Sequence, residues 1–111
     1  MGALTTHVLD TAAGRPAAGV RVELFHGQRG GTPLAVSETN ADGRCAAPLL
    51  QGDALRSGEY ELVFHAGEYF RANGIAVTDP PFLDRVVIRF GVADPSRHYH
   101  VPLLLSPYGY S

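Results

Sequence analysis

Short runs of alternating apolar and polar residues, each cut off by glycine or proline, limit this chain more than any other feature. From Val20 to Phe25, Val20, Val22 and Leu24 fall on one side and Arg21 and Glu23 on the other. From Glu59 to His65, Tyr60, Leu62 and Phe64 oppose Glu59, Glu61, Val63 and His65. From Asp84 to Phe90, Val86, Ile88 and Phe90 oppose Arg85, Val87 and Arg89. Successive side chains of a strand point to opposite faces, so each run reads as a strand with one face in a core. The 13 glycines and 8 prolines fall largely between such runs, which is the pattern of an all-β sandwich.

The remaining elements obey the same logic. Leu4 to Asp10 reads as the first strand, with Leu4, Thr6 and Val8 on one face and Thr5, His7 and Leu9 on the other. Val36 to Thr39 is a third short strand. Asn40-Ala41-Asp42-Gly43-Arg44 is a tight turn, because Asp-Gly supplies the positive-φ residue, and Arg44 starts the next segment. His26 to Gly31 and Gln51 to Gly58 read as connections. Ala66 to Asn73, closed by Gly74, is the one helical candidate. His98 to Leu105 is a late strand, and Tyr108 to Ser111 begins a return strand. That makes about eight short strands in one domain over residues 1–111, with no repeat or linker.

Composition narrows the function classes. The formal charge is -2 and lysine is absent, so no field draws the chain to nucleic acid or to an anionic membrane. Cys45 is the only cysteine, which excludes an intrachain disulfide and a cysteine-rich zinc module. Met1 to Thr6 lacks the basic and apolar regions of a signal peptide, and no segment reaches the roughly 18 apolar residues of a membrane span. A cytoplasmic protein without a cofactor is expected.

The end of the chain is the most informative stretch. His98 and His100 stand two apart and share one strand face. Pro102 removes a backbone donor, which places this strand at an edge or makes it irregular there. Yet Val101 to Leu105 is apolar on both faces, and an edge of that kind points to contact with another subunit.

The candidate chemical residues are His7, Arg44, His98 and His100, with Asp10, Tyr108 and Ser111 behind them. Histidine exchanges a proton near neutral pH, and arginine offers a fixed donor fork to an oxyanion. Two or three histidines with one arginine suit a small planar substrate with several carbonyls, attacked by water. Each residue also has an ordinary reading. His7 fits a surface strand position, Arg44 a solvated turn charge, and His98 and His100 a plain i, i+2 pair. His26 and His65 read as structural, and Cys45 as a small hydrophobe. His98, His100 and His7 could alternatively hold zinc, although no carboxylate or cysteine stands at a useful spacing.

Particular strings add to these periodicities. Thr6-His7-Val8-Leu9-Asp10 with Gly14 to Val20 behind it, Thr39 to Arg44, Gly58-Glu59-Tyr60, Tyr69-Phe70, and above all His98 to Ser111 resemble the signatures of the transthyretin-like family, from residue 4 onward. The family's terminal signature runs on past the serine that stands here at Ser111. Within the family the chain is similar to the enzyme branch. The carrier branch has lysine, glutamate, threonine and alanine where this chain has His7, Arg44, His100 and Pro102.

The resemblance implies a two-sheet sandwich with one short helix, assembled as a homotetramer, a dimer of dimers, around a central channel. It implies a hydrolase of purine catabolism that opens the cyclic amide ring of 5-hydroxyisourate, the unstable product of urate oxidation. His7, Arg44 and His100 would be catalytic, with Ser111, His98 and Tyr108 at the substrate and no metal. The alternatives are a transthyretin-type small-ligand carrier without turnover and a β-sandwich interaction module without chemistry.

Overall fold

The computed structural model describes residues 1–27 and 31–111; the middle of the expected connection from His26 to Gly31 lies outside the described residues. In chain order the strands are β1 (Ala3–Asp10), β2 (Arg15–Pro16), β3 (Arg21–His26), β4 (Ala35–Glu38) and β5 (Leu50–Gln51). They continue with β6 (Gly58–His65), helix α1 (Ala66–Ala72), β7 (Arg85–Val92), β8 (His98–Ser106) and β9 (Gly109–Tyr110). One sheet runs β2-β1-β8-β9, with β5 also paired to β1, and the other runs β4-β3-β6-β7.

The expected period-two faces form the core between these sheets. Leu4 and Val8 from β1, Val22 and Leu24 from β3, Leu62 and Phe64 from β6, and Leu103 and Leu105 from β8 are fully enclosed. Helix α1 adds Tyr69 and Phe70, and so is more than a surface feature. At about 25 cal/mol per Å² of apolar surface removed from water, each such Leu or Phe contributes on the order of 1.5–3 kcal/mol. Asp10, a second-rank site candidate, is structural. It is buried, accepts from the Ala13 N–H at 2.8 Å through one carboxylate oxygen, and accepts from the Tyr69 hydroxyl at 2.7 Å through the other. Burial and the Asp10 carboxylate push the Tyr69 phenol up to about 12, so it remains a donor.

Three sequence expectations need adjustment. Gln51 to Gly58 is not wholly irregular: β5 reaches into it, and Gly52–Ala54 forms a turn of 3₁₀ helix. Arg44 does not open a strand; it makes a single antiparallel bridge to His7. In β6 the charged face is buried too, with Glu61, Val63 and His65 nearly inaccessible. An ion ladder on that face accounts for this. Arg89 donates to Glu61 at 2.7 Å, and His65 lies 2.5 Å from Glu23. The long Arg89 side chain covers Glu61 while staying half-exposed itself.

The pairing that matters for function is β1 with β8. It is parallel and in register over eight residues, from Ala3 opposite His98 to Asp10 opposite Leu105. A parallel pair needs a long crossover, and here the whole second sheet lies between the two strands. Chain positions 5 and 7 are thereby set beside positions 100 and 102.

Candidate active site

The inward residues of β8 are Tyr99, Val101, Leu103 and Leu105, so His98, His100, Pro102 and Leu104 point away from the core. In β1 the inward residues are Leu4, Thr6, Val8 and Asp10, which leaves Thr5, His7 and Leu9 on the same outward face. His7 and His100 therefore meet on one surface, with ring centroids 6.4 Å apart. Pro102 fits its position without loss. The Leu104 N–H points away from β1 and donates to the Ser111 carbonyl at 2.9 Å. Pro102, two residues earlier, shares that side of β8, so its missing N–H takes no bond from the ladder with β1.

The turn Asn40 to Arg44 supplies the cation. The Asn40 side-chain oxygen accepts from the Asp42 and Arg44 N–H groups at 2.9 and 3.2 Å. Gly43 sits at φ 76°, the left-handed region that glycine enters without penalty, and its carbonyl accepts from the Val8 N–H at 2.8 Å. This hydrogen bond seats the turn on β1 and brings Arg44 beside His7.

The hydrogen bonds constrain the protons. His7 Nε2 lies 2.9 Å from the Asp42 carbonyl oxygen. A carbonyl can only accept, so Nε2 carries hydrogen and neutral His7 keeps its lone pair on Nδ1. His100 Nδ1 lies 2.8 Å from the Thr5 hydroxyl, which leaves Nε2 as its unengaged nitrogen. Partial burial of the ring, and then the Arg44 and His7 charges, hold His100 below the usual imidazole range. One imidazole of the pair is thus kept neutral at neutral pH.

The other sequence candidates lie farther out. His98 opposes Ala3, one full period along β8 from His100 and on the same face. Ser111 exchanges backbone hydrogen bonds with Leu104, so it stands beside Leu104 in the same sheet and shares its outward face. Tyr108 is not brought to the histidines: it occupies the turn before β9 and packs against Phe82, with centroids 5.4 Å apart. Thr5 carries no signal of its own in the sequence, and only the β1–β8 register reveals it. Cys45 lines a small niche of about 120 Å³ with Thr5, Thr6, Arg44 and Ala47. Among the described residues, no group of three or more His, Cys, Asp or Glu side chains is spaced to hold a metal ion.

Comparison with known proteins adds an independent line. A family model described as "HIUase/Transthyretin family" matches residues 4–111. The chain is 56% identical to 5-hydroxyisourate hydrolase 2 of Rhizobium meliloti (strain 1021), over 99% of this chain and 92% of that protein. The structure of Klebsiella pneumoniae 5-hydroxyisourate hydrolase superposes with a TM-score of 0.82 at 35% identity, covering 100% of this chain and 95% of that one. Sea bream transthyretin in complex with thyroxine superposes with a TM-score of 0.84 at 26% identity, covering 97% and 90%. Backbone shape thus fails to separate enzyme from carrier, whereas sequence identity does.

Proposed function

The chain belongs to the HIUase/Transthyretin family, and we propose that it opens the ring of 5-hydroxyisourate with His7, Arg44 and His100 acting together on the outward face of β1 and β8. It is an enzyme of the 5-hydroxyisourate hydrolase type, in urate catabolism, by its identity to curated hydrolases along nearly its whole length. The observation that carries the site assignment is the pair of imidazoles 6.4 Å apart with Arg44 bridged to one of them.

His100, held neutral, takes a proton from the attacking water. The oxygen bonds to the ring carbonyl carbon, and Arg44 holds the oxyanion that develops. The carbon–nitrogen bond of the cyclic amide then breaks. The leaving nitrogen takes up the proton, and the product is 2-oxo-4-hydroxy-4-carboxy-5-ureidoimidazoline. His7, fixed by the Asp42 carbonyl, orients the water or the departing nitrogen through Nδ1. Ser111 and His98 border the substrate on the same face.

The same reading has residues 1–111 as one domain, acting as a homotetramer in the cytoplasm. The outward face carries exposed Pro102 and Leu104 beside the histidines, and an apolar edge of this kind supports a subunit contact that closes the site. Among the described residues no helix is long and apolar enough to cross a membrane.

The test is turnover of freshly generated 5-hydroxyisourate. His100→Ala and Arg44→Glu should each lower kcat/KM at least tenfold to a hundredfold, which corresponds to roughly 1.4–2.8 kcal/mol of transition-state stabilisation. Wild-type rates in both variants, with fold and assembly intact, would overturn the site assignment. Thyroxine binding without turnover would favour the carrier.

A further inference from the structure

The outward face holds one polar side chain that the proposed reaction leaves unused. Thr5 stands directly opposite His100 in the β1–β8 register, and its hydroxyl lies 2.8 Å from His100 Nδ1. Among the described residues the hydroxyl makes no other hydrogen bond. This is unlike Thr6, the next residue, whose hydroxyl donates to the Val101 carbonyl at 2.7 Å and ties the two strands together inside the core. The two threonines therefore divide the work: Thr6 holds the sheet, and Thr5 holds a side chain.

A base at Nε2 of a neutral imidazole requires the proton to sit on Nδ1, and the partner at Nδ1 decides whether it does. The register places that partner on the neighbouring strand rather than on a loop. The β-branched Thr5 side chain is itself restricted at χ1, so the acceptor is held in place before substrate arrives. The niche beside Arg44 is also lined by Thr5, and at about 120 Å³ it has room for a water that could take the hydroxyl's own proton.

We propose that Thr5 is a positioning residue of the hydrolase: its oxygen accepts the Nδ1 proton of His100, fixes the ring's orientation, and so presents the Nε2 lone pair to the attacking water. This rests on the reading of His100 as the base. The charged and titratable groups facing His100 are Arg44 from the turn, His7 from β1, and His98 farther along β8. None of them reaches Nδ1 with a hydrogen bond, so among the described residues Thr5 is the partner there, and its hydroxyl oxygen can accept from Nδ1–H in the tautomer the reaction needs.

The experiment compares Thr5→Val, which keeps shape and β-branching but loses the oxygen, with Thr5→Ser, which keeps the oxygen. Turnover of 5-hydroxyisourate is measured across pH, alongside ¹⁵N NMR of the His100 ring. In Thr5→Val, kcat should fall about tenfold with KM little changed, as for the loss of one oriented hydrogen bond. The acid limb of the kcat profile should move to lower pH, because the oxygen supports the protonated ring more strongly than the neutral one. The Nδ1–H tautomer of His100 should lose its dominance, and Thr5→Ser should restore rate, limb and tautomer. An unchanged rate in Thr5→Val, a limb that stays in place or moves upward, or a wild-type tautomer overturns the proposal. His100→Ala in the same assay separates the two levels. If it is inactive while Thr5→Val behaves as wild type, the Thr5 role alone falls; if it is fully active, the assignment of the base falls first.

Discussion

Gly43 is the position at which backbone and chemistry are most tightly linked, so Gly43→Ala is the most informative single change. At φ 76° an alanine enters the left-handed region, at about 1–2 kcal/mol. Its Cβ would overlap the Val8 carbonyl oxygen, and would stand 3.1 Å from Pro16 Cβ and 3.3 Å from His7 Cδ2. None of these neighbours can withdraw freely, because Val8 is fully buried in β1 and Pro16 is paired to the same strand. The turn must lift instead. It then loses the bond from Val8 N–H to the Gly43 carbonyl, and the bond from His7 Nε2 to the Asp42 carbonyl is strained with it. One net hydrogen bond adds about 1 kcal/mol to the backbone cost, for roughly 2–3 kcal/mol in all. For a domain of this size that lowers Tm by about 9–13 °C. Activity should fall by more than stability does, because Arg44 and His7 move together. Calorimetry gives the first quantity, and kcat/KM measured well below the new Tm gives the second. A variant with wild-type Tm, or one that is destabilised but fully active while folded, would refute the claim that this turn seats the site.

Two further predictions concern the same surface. Because burial, Arg44 and His7 depress His100, its neutral form persists to lower pH than a free imidazole allows, and the rate falls only as pH drops through that lowered value. Arg44→Gln removes one of those causes, so the acid limb of its residual activity should move upward, and a limb unmoved or shifted downward contradicts the electrostatic account. Leu104, 40% exposed in a single chain, lies on the proposed subunit contact, and Leu104→Asp would bury a carboxylate there. Sedimentation should show species smaller than the tetramer together with loss of turnover, and an intact, active tetramer would move the contact elsewhere.

Much of this fold is legible locally. The facing of β3, β6 and β7 comes from period two alone, since one face of each meets the core. Asp42-Gly43 marks its turn because few residues accept a positive φ. Pro102 signals a missing donor but not the strand's place, because β8 lies between β1 and β9 rather than at the edge of its sheet. The burial of Glu61 and His65 is not legible, because it depends on which charges from β3 and β7 arrive beside them. Thr5 is invisible for the same reason. Nothing in the residues near position 5 says that position 100 will stand opposite; the parallel register of the first and last long strands decides it.

That register also explains why the chemistry sits on the outside of a sheet. An inward pair of histidines would have to be desolvated within the core, where a charged imidazole is costly. Outward, each ring can change protonation, and short partners from the neighbouring strand and turn fix its orientation. The drawback is water: an open sheet face weakens the field of Arg44 at the oxyanion and lets bulk solvent compete with the oriented nucleophile. A second subunit over Pro102 and Leu104 would remove that drawback without burying the rings in their own chain. Assembly and catalysis would then be one property of this face, and a change that loosens the tetramer should lower kcat even where every catalytic side chain is intact.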